Sequence, residues 1–139
     1  MDQHVREFFL QYERANSSSD TSAIGDLYAD IFMFGGPNGV QVVKKEDFLK
    51  VVPKMKAQFS SMGLCGTRLQ TVKANPLDSK YLMATVGWRM TFRDSSTKPV
   101  DAVATYVLVL GQGNTLSIVF QIDHQDLRSI IKDQQSPMR

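Results

Sequence analysis

The chain has 139 residues, a length that suits one domain with one core, since folded domains cluster at about 100–150 residues. With 42% hydrophobic and 22% charged residues, the composition is that of a globular protein and not of a disordered one. The formal net charge is only +2 and the basic residues are scattered among acidic ones, so we expect no nucleic-acid partner.

Two helices are predicted at the beginning of the chain. The first carries apolar residues at i, i+3, i+4 and i+7, the stripe of an amphipathic helix: Val5, Phe8, Phe9 and Tyr12. After the serines at 17–19, Asp20 is a suitable N-cap for a second helix. The apolar side of that second helix is predicted to hold Ile24, Leu27 and Tyr28.

A hairpin and a third helix are predicted next. Segments 31–34 and 40–43 flank a turn in which Asn38 and Gly39 would supply the positive-φ residues. Apolar residues at helical spacing then predict a helix that begins near Lys45 and ends at Gly63. Pro53 lies inside that helix and is expected to kink it or to split it into two.

From Thr67 onward the sequence predicts strands only. Mostly apolar segments are separated by turn residues, and they cover 68–75, 80–93, 100–110 and 115–123. Long antiparallel strands this close in sequence are expected to form a meander. The domain is therefore predicted over residues 1–133, with 134–139 as a flexible C-terminal tail.

Neither a membrane nor an oxidising compartment is expected. The longest mostly apolar segment, 102–110, is far shorter than the roughly 20 residues that span a bilayer. The N-terminus has no apolar run of signal-peptide length. Cys65 is the single cysteine, so no intramolecular disulfide can form, and we expect a reducing, cytoplasmic setting.

Matching like residues across the last three strands predicts a register. Pairing Trp88 with Ala104 and Met90 with Ala102 gives one almost wholly apolar face, which ends at His124 and which the helices must cover. Because large residues then face alanines, we expect a pocket between this face and the helices. Its predicted lining is Phe8, Tyr28, Trp88, Met90, Phe92, Ala102, Ala104 and Ile122.

The opposite face of the sheet is predicted to be mixed, too apolar for water alone and too polar for a core. Its central residues are Val103, Thr105, Val107, Val109, Val119 and Gln121. A surface of this kind is typical of a subunit interface, so we expect a homodimer through the outer sheet face.

Four segments carry a family resemblance, together with the order of helices, hairpin, helix and long sheet. They are 23–30 (AIGDLYAD), 34–39 (FGGPNG), 88–92 (WRMTF) and 118–126 (IVFQIDHQD). In these segments the chain resembles the nuclear transport factor 2-like superfamily, which includes the ketosteroid isomerases and the SnoaL-like polyketide cyclases. The resemblance implies an α+β, cystatin-like cone in which N-terminal helices pack on a curved antiparallel sheet around an apolar pocket, usually as a dimer. The superfamily holds isomerases, cyclases, dehydratases and members without known catalysis, so the activity stays open.

His124 is the first catalytic candidate. An imidazole at the edge of an apolar pocket can transfer protons near neutral pH. The alternative is a histidine at a strand end, hydrogen-bonded to backbone or to the turn that follows. Adjacent strand residues point to opposite faces, so Asp123 would lie outside, in an ion-pair network near Arg89 and Asp101, unless a bulge intervenes.

Tyr12 and Tyr106 are the candidates for stabilising an oxyanion, with Tyr28 as a further phenol near the pocket. A tyrosine has that role in the ketosteroid isomerases, whose pattern also needs two acidic groups inside the pocket. The predicted inner face carries no carboxylate, which argues against steroid-isomerase chemistry. The alternative for each tyrosine is core packing with its hydroxyl group at a rim.

The sequence therefore predicts a domain that binds a small apolar organic molecule. If it is an enzyme, we expect proton transfer on a carbonyl or enol substrate, of the isomerase, cyclase or dehydratase type. No cofactor is expected, and no metal either, because His4 and His124 lie at opposite ends of the chain. A non-catalytic ligand carrier, a dimerisation module and a subunit of a larger enzyme are the alternatives.

Overall fold

Helices pack on one face of a single six-stranded sheet in the computed structural model, which describes residues 2–18 and 20–135. The helices are α1 (Asp2–Ser17), α2 (Thr21–Gly25), α3 (Lys45–Ser61) and α4 (Leu127–Gln135). The strands are β1 (Tyr28–Gly36), β2 (Gly39–Lys44), β3 (Leu64–Pro76), β4 (Tyr81–Phe92), β5 (Val100–Leu110) and β6 (Leu116–Asp123). The predicted α+β class is confirmed.

The N-terminal helices form where the sequence predicts them, except that Leu27 and Tyr28, both predicted on the second helix, are not helical. Asp20 caps α2, since its Oδ1 accepts a hydrogen bond from the Ser22 amide at 3.0 Å. The helix ends at Gly25, and Tyr28 begins β1, where it pairs with Ile118 of β6. The prediction for Tyr28 was wrong because strand pairing with a distant segment overrides the local helical spacing.

The hairpin and α3 also differ from prediction in detail. Gly39 has a φ of 124°, whereas Asn38 is not among the described residues with positive φ. Helix α3 runs through Pro53 without interruption, so the predicted split does not occur, because a proline removes only one backbone donor. Gly63 ends the helix as predicted, with a φ of 97° and its N–H donating to the Ser60 carbonyl at 2.9 Å.

The strand order in the sheet is β2-β1-β6-β5-β4-β3, with β1 and β6 parallel and the other pairs antiparallel. The meander of the last four strands is therefore confirmed. The parallel pair was not predicted, and neither was α4. Helix α4 contributes Leu127, Ile130 and Ile131 to an apolar cluster with Met90 and Ala102. Of the predicted tail, residues 134 and 135 belong to α4, while 136–139 lie outside the described residues.

The register of β4 against β5 is displaced by two residues from the predicted one. Trp88 pairs with Ala102, and Met90 pairs with Val100. The predicted pair of Phe92 with Val100 does not form. A longer loop with an Asp94 turn, in which Oδ1 accepts from the Ser96 amide at 3.0 Å, separates the two strands. A displacement of two residues keeps every side chain on its predicted face.

A β-bulge in β6 changes the faces beyond it. Leu108 pairs with Ile118, but the next residue of β5, Val107, pairs with Phe120, which leaves Val119 as an extra residue. The parallel pairing of β6 with β1 also shifts in this region. In that pair the extra residues belong to β1, since Tyr28 pairs with Ile118 and Met33 with Phe120, so the bulge at Val119 is defined by the pairing of β6 with β5.

Beyond the bulge the predicted faces of five residues, 120–124, were wrong. Gln121 and Asp123 turn to the inner face, and Asp123 pairs with Ala104. Phe120 and Ile122 turn to the outer face, where both approach Gly35 of β1. His124 is exposed on that outer side.

Candidate functional site

A cavity of about 490 Å³ lies between α1, α3 and the inner face of the sheet. Ligand pockets have volumes of about 300–1,000 Å³, so the cavity is large enough for a small organic molecule. Its walls are mainly apolar. They include Ile24, Phe48, Val52, Met55, Phe59, Leu64, Trp88, Met90, Ala102, Ala104 and Leu127.

The structure places some of the predicted site residues along this cavity and others elsewhere. Those that line it are Tyr12, Trp88, Met90, Ala102, Ala104 and Tyr106. Phe8 and Tyr28 lie in the main core cluster, and Phe92 lies in a second cluster. Ile122 is on the outer face because of the bulge. Tyr28 reaches the cavity only through its hydroxyl group, which bonds to residues that line it.

A chain of hydrogen bonds connects α1 to β6 at the inner end of the cavity. The hydroxyl oxygens of Tyr12 and Tyr28 are 2.8 Å apart, and Tyr28 donates to Oε1 of Gln121. The Gln121 side-chain amide then donates to Oδ1 of Asp123 over 3.1 Å. A phenol has one proton, and that of Tyr28 is used on Gln121, so Tyr12 must donate to Tyr28. This direction of donation leaves Asp123 as the acceptor at the end of the chain.

Tyr106 presents a second phenol to the cavity. Its side chain is almost fully buried, and its oxygen accepts a hydrogen bond from Nε1 of Trp88 at 3.2 Å. The ring of Phe9 packs on it with a centroid distance of 4.8 Å. Because the indole N–H is a donor only, the hydroxyl proton of Tyr106 goes to another acceptor, and the neighbouring Tyr12 hydroxyl group is a hydrogen-bond partner for it within the protein.

Burial raises the pKa of the carboxyl group and of the phenols around the cavity. It raises the pKa of Asp123 above the usual aspartate value, although the Gln121 hydrogen bond and the nearby His124 partly oppose this. It also raises the pKa of Tyr12 to about 12 and that of Tyr106 well above 10. Near neutral pH the phenols are therefore hydrogen-bond donors, and Asp123 is a stronger base than an exposed aspartate.

His124, the first catalytic candidate from the sequence, does not line the cavity. Its Nε2 lies 2.7 Å from Oγ1 of Thr105, and its backbone N–H donates to the Val103 carbonyl at 3.4 Å. The Thr105 side chain projects from the outer face of β5, where Thr105 pairs with Ile122. The bulge thus reverses the predicted roles of neighbours: Asp123 is in the cavity and His124 is outside.

Sequence reasoning missed Gln121 and Lys56 as cavity residues. Gln121 and Asp123 do alternate with Phe120 and Ile122, so a two-residue period was visible. That period does not show which set faces inward, because an uninterrupted strand would bury the apolar set.

No group of three or more His, Cys, Asp and Glu side chains is arranged to hold a metal ion within residues 2–18 and 20–135. Over the same part of the chain, no helix is long and apolar enough to cross a membrane.

Comparison with known proteins gives structural similarity alone. No family model matches the sequence, and no curated protein matches it. An NTF-2 like protein of unknown function from Shewanella oneidensis MR-1 is 13% identical, with a TM-score of 0.71 over 88% of this chain and 98% of that one. An NTF2-like protein with a cystatin-like fold from Novosphingobium aromaticivorans is 9% identical, with a TM-score of 0.70 over 96% and 88%. A ketosteroid isomerase-like protein from Erwinia carotovora atroseptica is 12% identical, with a TM-score of 0.67 over 88% and 94%.

The fold is therefore that of NTF2-like, cystatin-like proteins, as the sequence resemblance implied. At these identities the similarity establishes architecture and leaves the chemistry to the residues of the cavity.

Proposed function

We propose that the protein binds a small, mainly apolar carbonyl compound in this cavity and catalyses proton transfer at the carbon next to the carbonyl group. Asp123 would be the base. The observation that carries this proposal is the position of Asp123: a partly buried carboxylate with a raised pKa, on the cavity wall that also holds the protonated phenol of Tyr106. Groups whose environments separate their proton affinities in this way are suited to acid–base catalysis.

The reaction can be written with named atoms. The Asp123 carboxylate removes a proton from the α-carbon, and the electron pair of that C–H bond moves into the carbonyl group to form an enolate. The Tyr106 hydroxyl group donates a hydrogen bond to the enolate oxygen, while Trp88 holds the Tyr106 oxygen from behind. Asp123 then returns the proton to the same carbon, which is hydrogen exchange, or to another carbon of a conjugated enolate, which is isomerisation. Alternatively, the enolate carbon attacks a second carbonyl carbon, whose π electrons move to its oxygen, and Asp123 gives its proton to the alkoxide that forms, which is ring closure.

Tyr12, Tyr28 and Gln121 are positioning residues in this scheme. Their hydrogen bonds fix Oδ1 of Asp123, so the carboxylate has a defined direction before a ligand enters.

The bulge also removes the main sequence argument against isomerase-type chemistry, which was the lack of an inward carboxylate. Of the described residues that line the cavity, Asp123 is the one carboxylate. In this scheme the phenols donate the hydrogen bonds that a second, protonated acid would otherwise donate. The structural similarity to the ketosteroid isomerase-like protein from Erwinia is compatible with the proposal but does not carry it.

Exchange of α-hydrogens in deuterated water tests the proposal. The probe is 2-tetralone, a fused-ring ketone with acidic α-hydrogens, and NMR follows the loss of its α-proton signals. We expect the protein to accelerate this exchange above the buffer rate. Asp123→Asn should lower the acceleration by about 10²–10⁴-fold, because a positioned general base contributes that much.

Asp30→Asn is the matched control. It removes the same charge from a side chain that is 97% exposed and whose one ion pair is with Lys45 at 3.5 Å. Its exchange rate should equal that of the unchanged protein. Equal rates for Asp123→Asn and Asp30→Asn would refute Asp123 as the base. Binding of 2-tetralone without any exchange would instead leave the carrier alternative.

A further inference from the structure

The cavity contains a cation that the proton-transfer scheme does not use. Of the described residues that line it, Lys56 of α3 is the one cation. The Lys56 side chain is partly buried, and burial lowers its pKa. The described part of the chain gives it no ion pair within 4 Å. A partly buried ammonium group without a counter-ion lowers the stability of the fold, so a binding role for Lys56 would explain its position.

The surroundings of the ammonium group are polar and neutral. Its Nζ donates to the backbone carbonyl of Ser18 at 2.8 Å, just beyond the end of α1. Asn16 and Ser17 of α1 and Ser60 of α3 line the same cavity. An ammonium group has three donors, and the carbonyl of Ser18 uses one of them.

Lys56 and Asp123 project from different walls. Lys56 is on the helical side, whereas Asp123 is on the sheet beside Ala104, and no ion pair joins them within the described residues. Apolar side chains of α3, Val52, Met55 and Phe59, line the cavity as well. The cavity thus offers a cationic group, an apolar body and a basic carboxylate to a single ligand.

We propose that Lys56 is an anion-binding residue and that the ligands of this cavity are apolar ring compounds with a carboxylate or sulfonate group. The anionic group pairs with Lys56, and the rings fill the apolar part. This inference rests on the proposed function for the identity of the reacting carbon, which must reach Asp123 while the anion contacts Lys56. The competing structural role for Lys56 is to hold the end of α1 through the Ser18 carbonyl.

Two dyes that differ by one group separate these roles. They are 1-anilinonaphthalene-8-sulfonate and N-phenyl-1-naphthylamine, which share the same rings, and only the first has a sulfonate. Fluorescence titration gives the Kd of each dye. Lys56→Met keeps an unbranched stem and removes the charge, and Lys56→Arg keeps the charge. Lys54→Met removes an equal charge from an exposed position on the same helix and is the control.

In Lys56→Met we expect binding of the sulfonate dye to weaken about tenfold or more, since hydrogen bonds to charged groups contribute on that scale. Binding of the neutral dye should change less than about twofold, and Lys54→Met and Lys56→Arg should bind both dyes as the unchanged protein does. Equal weakening of the two dyes in Lys56→Met would assign Lys56 to the structural role and overturn the inference. So would unchanged binding of both dyes, or a failure of the unchanged protein to prefer the sulfonate.

The test is independent of the base. Asp123→Asn should bind the sulfonate dye at least as well as the unchanged protein, because it removes a negative charge from the cavity. If α-hydrogen exchange is absent but the charge preference depends on Lys56, the proposed function fails and the anion site stands. If α-hydrogen exchange occurs but the sulfonate dye is not preferred, the anion site is refuted and the proposed function is not affected.

Discussion

The two ends of the β5–β6 pair have opposite characters, although they belong to the same two strands. Before the bulge, Leu108 and Ile118 face inward with 0% exposure, and Leu116 is 4% exposed beside them. After it, Tyr106 pairs with Gln121 and Ala104 pairs with Asp123, and all of these line a cavity. One end is a closed apolar core and the other is a polar site.

The difference shows what one inserted residue does. Val119 shifts the alternation of β6 by one position, so the carboxylate turns inward while the apolar residues next to it turn outward. The closed end then supplies the packing that stabilises the sheet. The open end carries a partly buried carboxylate with a raised pKa, which we expect to lower stability and which the proposed reaction would use as its base.

The largest effect on stability should come from the closed end. Leu108→Ala removes a fully buried side chain from the core cluster, and we expect it to lower the free energy of unfolding by about 2–5 kcal/mol. Urea denaturation measures this value. Leu110→Ala, at a half-buried position two residues along, is the control and should cost clearly less. Equal losses would mean that the closed end is not the better-packed region.

The second prediction concerns the outer face of the same strands, where the bulge adds Phe120 and Ile122 beside Val107. This makes the face more apolar than the sequence predicted, and we propose that it forms a homodimer that buries about 1,200–2,000 Å² in total. Light scattering should then give twice the 15.6 kDa chain mass. Val107→Arg should yield a monomer, because it places an unpaired charge in the interface.

Val51→Arg is the control for the dimer, since Val51 is an exposed apolar residue, 46% accessible, on α3 and away from this face. It should leave the mass doubled. A protein that stays monomeric at high concentration would contradict the dimer outright.

The sequence predicted most of the fold because its signals are local and repeated. Helical spacing in α1, the Asp20 cap and the long apolar strands each act over a few residues. The arrangement of the site depends on pairings between distant strands, which local sequence patterns do not show. Neither the parallel pairing of Tyr28 with Ile118 nor the extra residue at Val119 has a signature in the chain, because both are set by contacts between distant strands.

The sequence placed His124 inside and Asp123 outside, the reverse of the structure, because local patterns do not reveal the bulge. An uninterrupted strand places Ile122 and His124 inside, and apolar burial makes this the better assignment on sequence grounds. The bulge reverses it, and the cost of burying Asp123 is partly offset by its hydrogen bond from Gln121. Tyr12 and Tyr106 lie on α1 and β5, whose inward faces the bulge in β6 does not change, and both line the cavity.

The third prediction compares an alanine that lines the cavity with an alanine of β4 in the main core cluster. Ala104→Leu extends into the cavity, so we expect it to leave the free energy of unfolding unchanged or slightly higher while abolishing binding of both naphthalene dyes and 2-tetralone. Ala84→Leu, at a residue with 0% exposure in the closed core, should cost about 1–3 kcal/mol through overpacking. If Ala104→Leu costs the same as Ala84→Leu, the open end is already filled and no ligand site exists there.

The smallest effect tests whether Asp123 opposes folding. Burial raises its pKa in the folded state, so the folded protein holds this proton more tightly than the unfolded chain does. Below the unfolded-state pKa both states are protonated and no penalty exists. As pH rises toward the folded-state pKa, the unfolded chain releases the proton first, and stability falls; above the folded-state pKa, the loss of stability is complete.

Asp123→Asn has no such proton, so its melting temperature should equal that of the unchanged protein in acid and exceed it by a few degrees at neutral pH. Circular dichroism melts between about pH 4 and pH 8 measure the difference, with Asp30→Asn as the control that shows no such rise. A difference that shrinks as pH rises has the wrong sign for a buried carboxylate. It would place Asp123 among groups that stabilise the fold when charged, and the two ends of the β5–β6 pair would then both serve stability.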